Sequence, residues 1–273
     1  MLGTTMDYYD GPEVVGALIE TLRDAGLDPD ALDIDELAPL DEFHARGRAA
    51  TTALAELADV RPGERVLDVG AGIGGPARVL AARRGAQVTA VDATSRFCAI
   101  AERLTRGTGL SDRVEVVCGN ALDLPFADET FDLSWTQAVA QNIADKERLI
   151  AELTRVVAPG GRVAMFEIVA GPGGPLEFPV PWADRPDQSW LVTADELRRL
   201  LDARPLEIVH WLQGQAALEA IGAAQASVLP PGSDRGVGLH LLMPDYEARM
   251  ATMVRNVSQQ RVELVLAVAR RTS

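Results

Sequence analysis

The chain has 273 residues, 47% of them hydrophobic, enough to bury the core of one large domain or of a domain with a lid. A formal net charge of −14 excludes the Lys- and Arg-rich surface that nucleic acid demands and points instead to a small-molecule partner. No run is apolar enough to span a bilayer, and residues 1–10 lack the basic start and apolar run of a signal peptide, so a cytoplasmic location is expected.

Residues 1–60 predict an N-terminal helical cap. Val14, Leu18, Ile19 and Leu22 recur at helical spacing, and Gly26 supplies a stop. Tyr8 and Tyr9 are candidates to cover a ligand. His44, one of three histidines, lies just before Gly47 and a helix that ends near Ala58, and is a candidate base or pocket-lining group. The Arg-Pro-Gly-Glu run at 61–64 turns the chain into its first strand.

Residues 65–76 organise everything that follows. Val66, Leu67 and Val69 make a short strand buried on both faces. Glycines at 70, 72, 74 and 75 then allow a turn that a ligand approaches closely, and Pro76 suits the first turn of a helix. Gly70, Gly72 and Gly75 satisfy the dinucleotide pattern G-x-G-x-x-G, in which a pyrophosphate sits on the helix N-terminus. Asp68 opposes that reading. A carboxylate two residues before the first glycine adds negative charge near such a phosphate, and suits a cation such as the ammonium of a methionine moiety. A tight strand–helix turn with no ligand is the third possibility.

From Val66 onward strands and helices alternate, which predicts an α/β fold with a parallel sheet covered on both faces. Expected strands are 66–69, 87–91, 114–118, 131–136, 162–169, 206–212 and 262–269. Expected helices include 75–84, 95–105 with Ser95 as N-cap, 146–157 and 194–203. Cys98 and Cys118 fall on a helix and a strand without metal-ligand spacing, and read as reduced core or near-core residues. No metal site is expected. Residues 61–212 form the predicted core, 213–260 a lid insertion of two helices broken by prolines at 230 and 231, and 261–273 the final strand.

Ligands of open α/β sheets collect beyond the carboxyl ends of the strands, and candidate residues stand at each tip. Asp92 and Ala93 end strand two, about 20 residues past the glycine turn, where an acid takes ribose hydroxyls. Asn120 and Ala121 follow strand three, suited to an adenine amine and ring. Gln137 ends strand four facing the cofactor cleft, with Gln141 and Asn142 near the substrate. Trp182, Trp190, Leu239 and Met243 are candidate linings of an apolar acceptor pocket.

Together these segments resemble class I S-adenosylmethionine (SAM)-dependent methyltransferases of the small-molecule type, similar to the sarcosine/dimethylglycine and phosphoethanolamine methyltransferase group. Residues 66–72 match the family's first motif, Val91-Asp92 its ribose acid, and Gly119-Asn120-Ala121 its adenine segment, usually Gly-Asp-Ala. The runs 124–126, 131–133 and 156–162 match the approach to strand four and the turn after the following helix. The resemblance implies a Rossmann-like, seven-stranded, mostly parallel sheet whose last strand is antiparallel. It also implies SAM across the strand tips, with Gly47 closing over its methionine end. Two positions depart from it: Ala138 stands where relatives often carry an acid or histidine, and Asn142 where they carry a histidine. The reaction expected is in-line methyl transfer to N, O or C of a small acceptor, by a monomer or homodimer. If a base is needed, His44 is the first candidate and Glu167, toward the end of strand five, the second. The alternatives are an NAD(P)-dependent oxidoreductase and a catalytically silent SAM-binding protein.

Overall fold

The computed structural model describes residues 12–42, 44–225 and 237–272. Tyr8, Tyr9 and the proline break at 230–231 lie outside the described residues.

Seven strands among them form one sheet: β1 (Arg65–Val69), β2 (Gln87–Asp92), β3 (Val114–Cys118), β4 (Phe131–Gln137), β5 (Val157–Ala170), β6 (Leu206–Gln213) and β7 (Val262–Arg271). The order is β3-β2-β1-β4-β5-β7-β6. The first five strands run parallel, and β7 lies antiparallel between β5 and β6. The order reverses at β1, so the ligand crevice of such a sheet lies beyond the tips of β1 and β4.

Period-two alternation divides the sheet into two apolar faces. Val66, Val88, Ala90, Trp135, Ala164 and Phe166 face one helical layer, which includes α3 (Arg48–Leu57), α4 (Gly75–Val79) and α8 (Gln215–Gln225). Leu67, Val69, Val91, Val163 and Met165 face the other, built on α6 (Lys146–Arg155) and α7 (Ala194–Asp202). The chain thus buries strands on both sides, as their near-continuous apolar runs require.

Several boundaries differ from the sequence-based ones. The helix after the glycine turn changes to π-type winding at Leu80–Arg84. In α5 (Ser95–Gly107) the N-cap is Thr94, because its extended backbone makes it the last residue before the helix, and Ser95 is already helical. β5 begins at Val157 and carries Pro159 and the following glycines as an irregularity opposite β4, where the register shifts between Phe131 and Leu133. Cys98 is buried, but Cys118 is exposed, since it ends the edge strand β3.

The N-terminal segment packs as a cap. Leu18, Ile19 and Leu22 of α1 (Pro12–Asp24) join Phe97, Ile100 and Leu104 of α5 in one apolar cluster. A four-residue turn of helix, α2 (Ala38–Asp41), then lies on α4. The 213–260 stretch divides differently from a single lid. Ala217, Ile221 and Ala224 of α8 belong to the core layer beside α3, because this helix has its own buried stripe. Only the second half, with α9 (Tyr246–Ser258), packs outside the sheet's main layers, against β7. Buried Asn256 fastens it to the 171–190 loop, accepting from the Glu177 N–H at 2.9 Å and donating to its carbonyl at 3.0 Å. Arg249 adds a bond to the Val180 carbonyl at 2.7 Å and an ion pair with Asp184.

Candidate active site

The glycine turn is built by backbone conformation. Gly70, Gly72 and Gly74 have φ of 73°, 56° and 81°, the left-handed region that β-carbons disfavour. Neighbours set the rest. A Cβ at Gly75 would overlap the Asp41 carbonyl oxygen, whereas a Cβ at Gly72 would meet nothing within 4 Å. One glycine therefore admits the cap and the other faces open space. Gly75→Ala is expected to destabilise the protein by about 3 kcal/mol or more through backbone displacement. Gly72→Ala should cost only about 1–2 kcal/mol for its left-handed backbone yet abolish ligand binding. Paired thermal melts and ligand titrations of the two variants separate these effects.

Asp68 and Asp92 flank this turn. Asp92 accepts the Gly72 N–H at 2.8 Å on one carboxylate oxygen and the Thr94 N–H at 2.8 Å on the other, which pins the loop to the tip of β2. Burial raises its pKa against those two bonds. Asp68 is 2% exposed, and its Oδ2 has no hydrogen-bond partner. Burial pushes its carboxyl up to about 7, against the pull of His44 and of the Ala77 N–H and with a further push from Asp92 and Glu42. A buried carboxylate with an unpaired oxygen calls for a cation.

The same face of the sheet carries the His44 cluster. His44 Nε2 lies 2.9 Å from Glu42 Oε2 and 3.2 Å from Thr51 Oγ1, and its Nδ1 lies 3.2 Å from the Ala45 carbonyl. Burial alone would raise the Glu42 carboxyl, but the bond and charge of His44, with Arg48 and Thr51, outweigh it and hold Glu42 below the usual range. Both imidazole nitrogens are therefore committed to protein oxygens. Gln137 Oε1 accepts from Thr51 at 3.2 Å and from the Trp135 indole N–H at 3.0 Å, while its Nε2 is buried without a partner.

Glu167 belongs to the opposite face. It alternates with Phe166 and is fully buried. Its oxygens accept from Thr136 Oγ1 at 3.3 Å and from the Val139 and Ala140 N–H groups at 3.1 and 3.0 Å. Burial pushes this carboxyl up to about 7, opposed by those bonds and by Lys146. The two nominated bases thus stand on different faces of the sheet, and each is hydrogen-bonded by the protein. His44 comes from the segment before α3 and Glu167 from β5, so the sheet separates the two candidates.

The raised values set a pH response. A carboxyl whose pKa is higher folded than unfolded contributes stability below its unfolded value and loses it as pH rises through the folded one. For Asp68 and Glu167 that window runs from their ordinary range up to about 7. The ligand-free protein is therefore expected to be more stable to urea at pH 6 than at pH 8, with a smaller difference in Asp68→Asn.

Of the remaining candidates, Asn120 and Ala121 follow the end of β3, while Trp182, Trp190 and Met243 lie in loops. Asn120 is exposed, and its Oδ1 accepts the Leu122 N–H at 2.9 Å, so the residue shapes its own turn. Trp182 packs with Ile168, Met253 and Val262 and donates to Ser189 at 2.9 Å, whereas Trp190 is 39% exposed and Met243 is buried. Sequence reading missed Glu42, Thr51 and Lys146: Glu42 is bonded by neighbours at 44, 48 and 51, whereas Thr51 reaches Gln137 and Lys146 faces Glu167 only in the folded chain. Among the described residues no group of three or more His, Cys, Asp or Glu is placed to hold a metal, and no helix is long and apolar enough to cross a membrane. A shallow surface groove beside Arg65, Gln87 and Arg113 opens at the other, amino-terminal edge of the sheet.

Residues 67–165 match the family described as Methyltransferase domain. The chain is 37% identical over 164 residues to Methyltransferase GfsG of Streptomyces halstedii, covering 60% of this chain and 57% of that protein. It is 28% identical over 218 residues to glycine/sarcosine/dimethylglycine N-methyltransferase of Actinopolyspora halophila, covering 80% and 38%. The chain thus spans 57% or less of the length of these curated relatives. Among solved structures, the [4+2]-cyclase SpnF superposes with a TM-score of 0.64 at 24% identity, over 95% of this chain and 93% of that one. Geranyl diphosphate C-methyltransferase from Streptomyces coelicolor A3(2) does so at 0.61 and 17% identity, over 97% and 100%. The chain thus carries a methyltransferase-domain match at residues 67–165, within a seven-stranded fold that it shares with these solved structures.

Proposed function

We propose that the protein is a SAM-dependent methyltransferase acting on a small molecule in the cytoplasm. The observation that carries this reading is the unpaired Asp68 oxygen beside an open glycine cradle, with the Asp92 carboxylate across it. An anionic pyrophosphate would meet two carboxylates there, and a ligand with an ammonium and a ribose suits both. Asp68 would hold the ammonium, the Gly70–Gly72–Gly74 loop the backbone of the methionine end, Asp92 and Ala93 the ribose, and Asn120 and Ala121 the adenine. The buried, unpaired Gln137 amide would donate to the methionine carboxylate.

Bound SAM supplies an electrophilic methyl group. The protein's own part is to align the acceptor and exclude water, a positional effect of about 7–11 kcal/mol. His44 and Glu167, the two bases nominated from sequence, are read here as positioning residues, because their polar atoms are occupied by protein partners. His44 orders the Glu42–Thr51–Gln137 network, and Glu167 braces the turn after β4.

The test is calorimetric titration with S-adenosylhomocysteine, NAD and NADP in parallel. Micromolar binding of S-adenosylhomocysteine alone is expected, tightening between pH 6 and 8 as Asp68 ionises. NAD binding instead would restore the oxidoreductase reading. S-adenosylhomocysteine binding without methyl transfer to any acceptor in a broad metabolite panel would favour a silent SAM-binding protein.

A further inference from the structure

We propose that Gln141 is a hydrogen-bond-accepting subsite for the methyl acceptor, so that the acceptor carries a hydroxyl or amino group that donates to it. This rests on the methyltransferase reading of the site. The orientation of the amide is set by its partner. Gln141 Nε2 lies 2.6 Å from the Ala138 carbonyl, which only accepts, so the nitrogen faces that carbonyl and Oε1 points away. Oε1 is buried and has no partner, on a residue only 3% exposed.

The platform beneath it is rigid. Ala138 is held at φ 54°, an unfavourable value for a residue with a Cβ, and its N–H bonds the Phe166 carbonyl at 2.7 Å. Glu167 takes the next two backbone N–H groups. Above, the Gln141 carbonyl accepts the Trp190 N–H at 2.9 Å, which seats the 171–190 loop over the residue. Four residues earlier, Gln137 shows the complementary arrangement. Its oxygen is fixed by the Trp135 indole, which only donates, so its unpaired atom is a donor. The tip of β4 therefore presents one buried free donor and one buried free acceptor.

Buried unpaired acceptors are costly, and a ligand that donates to one relieves the cost. A ligand lacking the donor leaves the oxygen unpaired and is rejected. The geometry selects hydroxyl- or amine-bearing acceptors over purely hydrocarbon ones.

The test is ligand-observed NMR titration of the protein saturated with S-adenosylhomocysteine, using matched probes: phenol against anisole, and benzylammonium against benzyltrimethylammonium. The donor-bearing member of each pair is expected to bind at least about fivefold more tightly. Gln141→Leu should erase that preference and leave S-adenosylhomocysteine affinity unchanged. Equal affinities within both pairs, or no binding by any probe, would overturn the proposal, the former meaning that water satisfies the oxygen. So would a preference that survives in Gln141→Leu. If that variant does not fold, the wild-type pairs decide alone. Failure to saturate with S-adenosylhomocysteine is a separate result, which removes the methyltransferase reading and this inference with it.

Discussion

Asp41→Ala is expected to lower the free energy of unfolding by about 3–5 kcal/mol, the usual cost of stripping one partner from a buried ion pair. Asp41 Oδ1 meets Arg78 Nη2 at 2.5 Å, and both side chains are fully buried. Arg78 also reaches Thr105 Oγ1 at 3.3 Å, so one guanidinium ties the N-terminal cap to α4 and α5. Burial raises the Asp41 carboxyl more strongly than Arg78 lowers it, a sign of how much desolvation this pair carries. Removing the carboxylate leaves a cation with no counter-charge inside the protein. The measurement is urea denaturation, in which the midpoint should fall sharply while the slope is retained. Asp41→Leu combined with Arg78→Met should recover most of the loss, since apolar replacements of a buried pair are often neutral. By contrast Asp59→Ala, which breaks an ion pair with Arg61 at the surface, should leave the midpoint in place. An unshifted midpoint in Asp41→Ala would mean that the cap is not held by this pair.

Asp92→Ala is expected to weaken S-adenosylhomocysteine binding about 100-fold or more, and to lower stability by about 1–3 kcal/mol through the two loop N–H groups it leaves unpaired. The Asp92 carboxylate already holds the N–H groups of Gly72 and Thr94 and the Thr94 side chain, and keeps acceptor capacity for the ribose hydroxyls. Charge-assisted hydrogen bonds contribute about 1.5–3 kcal/mol apiece, so two lost together exceed a hundredfold. The Gly72 anchor is lost as well, and with it the shape of the cradle. Calorimetry on the variant and on Asp92→Asn separates the parts. The amide retains one oxygen, and should fall between the two. Equal binding by wild type and Asp92→Ala would place the ligand somewhere other than the β2 tip.

The seven strands and most helices are legible from residues 65 onward without tertiary information. Val66 to Val69 is too apolar for anything but a strand buried on both faces, and the glycines after it permit only a turn. Asp68 and Asp92 stand out as candidates by position, because strand tips converge in a parallel sheet whatever its side chains. Tertiary structure decided what each polar group has left to offer. Whether His44, Glu167 or Gln141 has a polar atom left for a ligand depends on turns and side-chain directions that periodicity does not encode, local for His44 and Gln141 and about 30 residues away for Glu167. His44 is taken by Glu42 and Thr51, and Glu167 by the turn after β4. Gln141, singled out in the sequence only by its place after strand four, keeps a buried oxygen unpaired. In the same way α8 reads as half of a lid until α3 and the sheet are present to bury Ala217 and Ile221. Local sequence thus determined the backbone frame and its crevice, while the folded arrangement of turns, faces and packed segments decided which polar atoms keep capacity for a ligand.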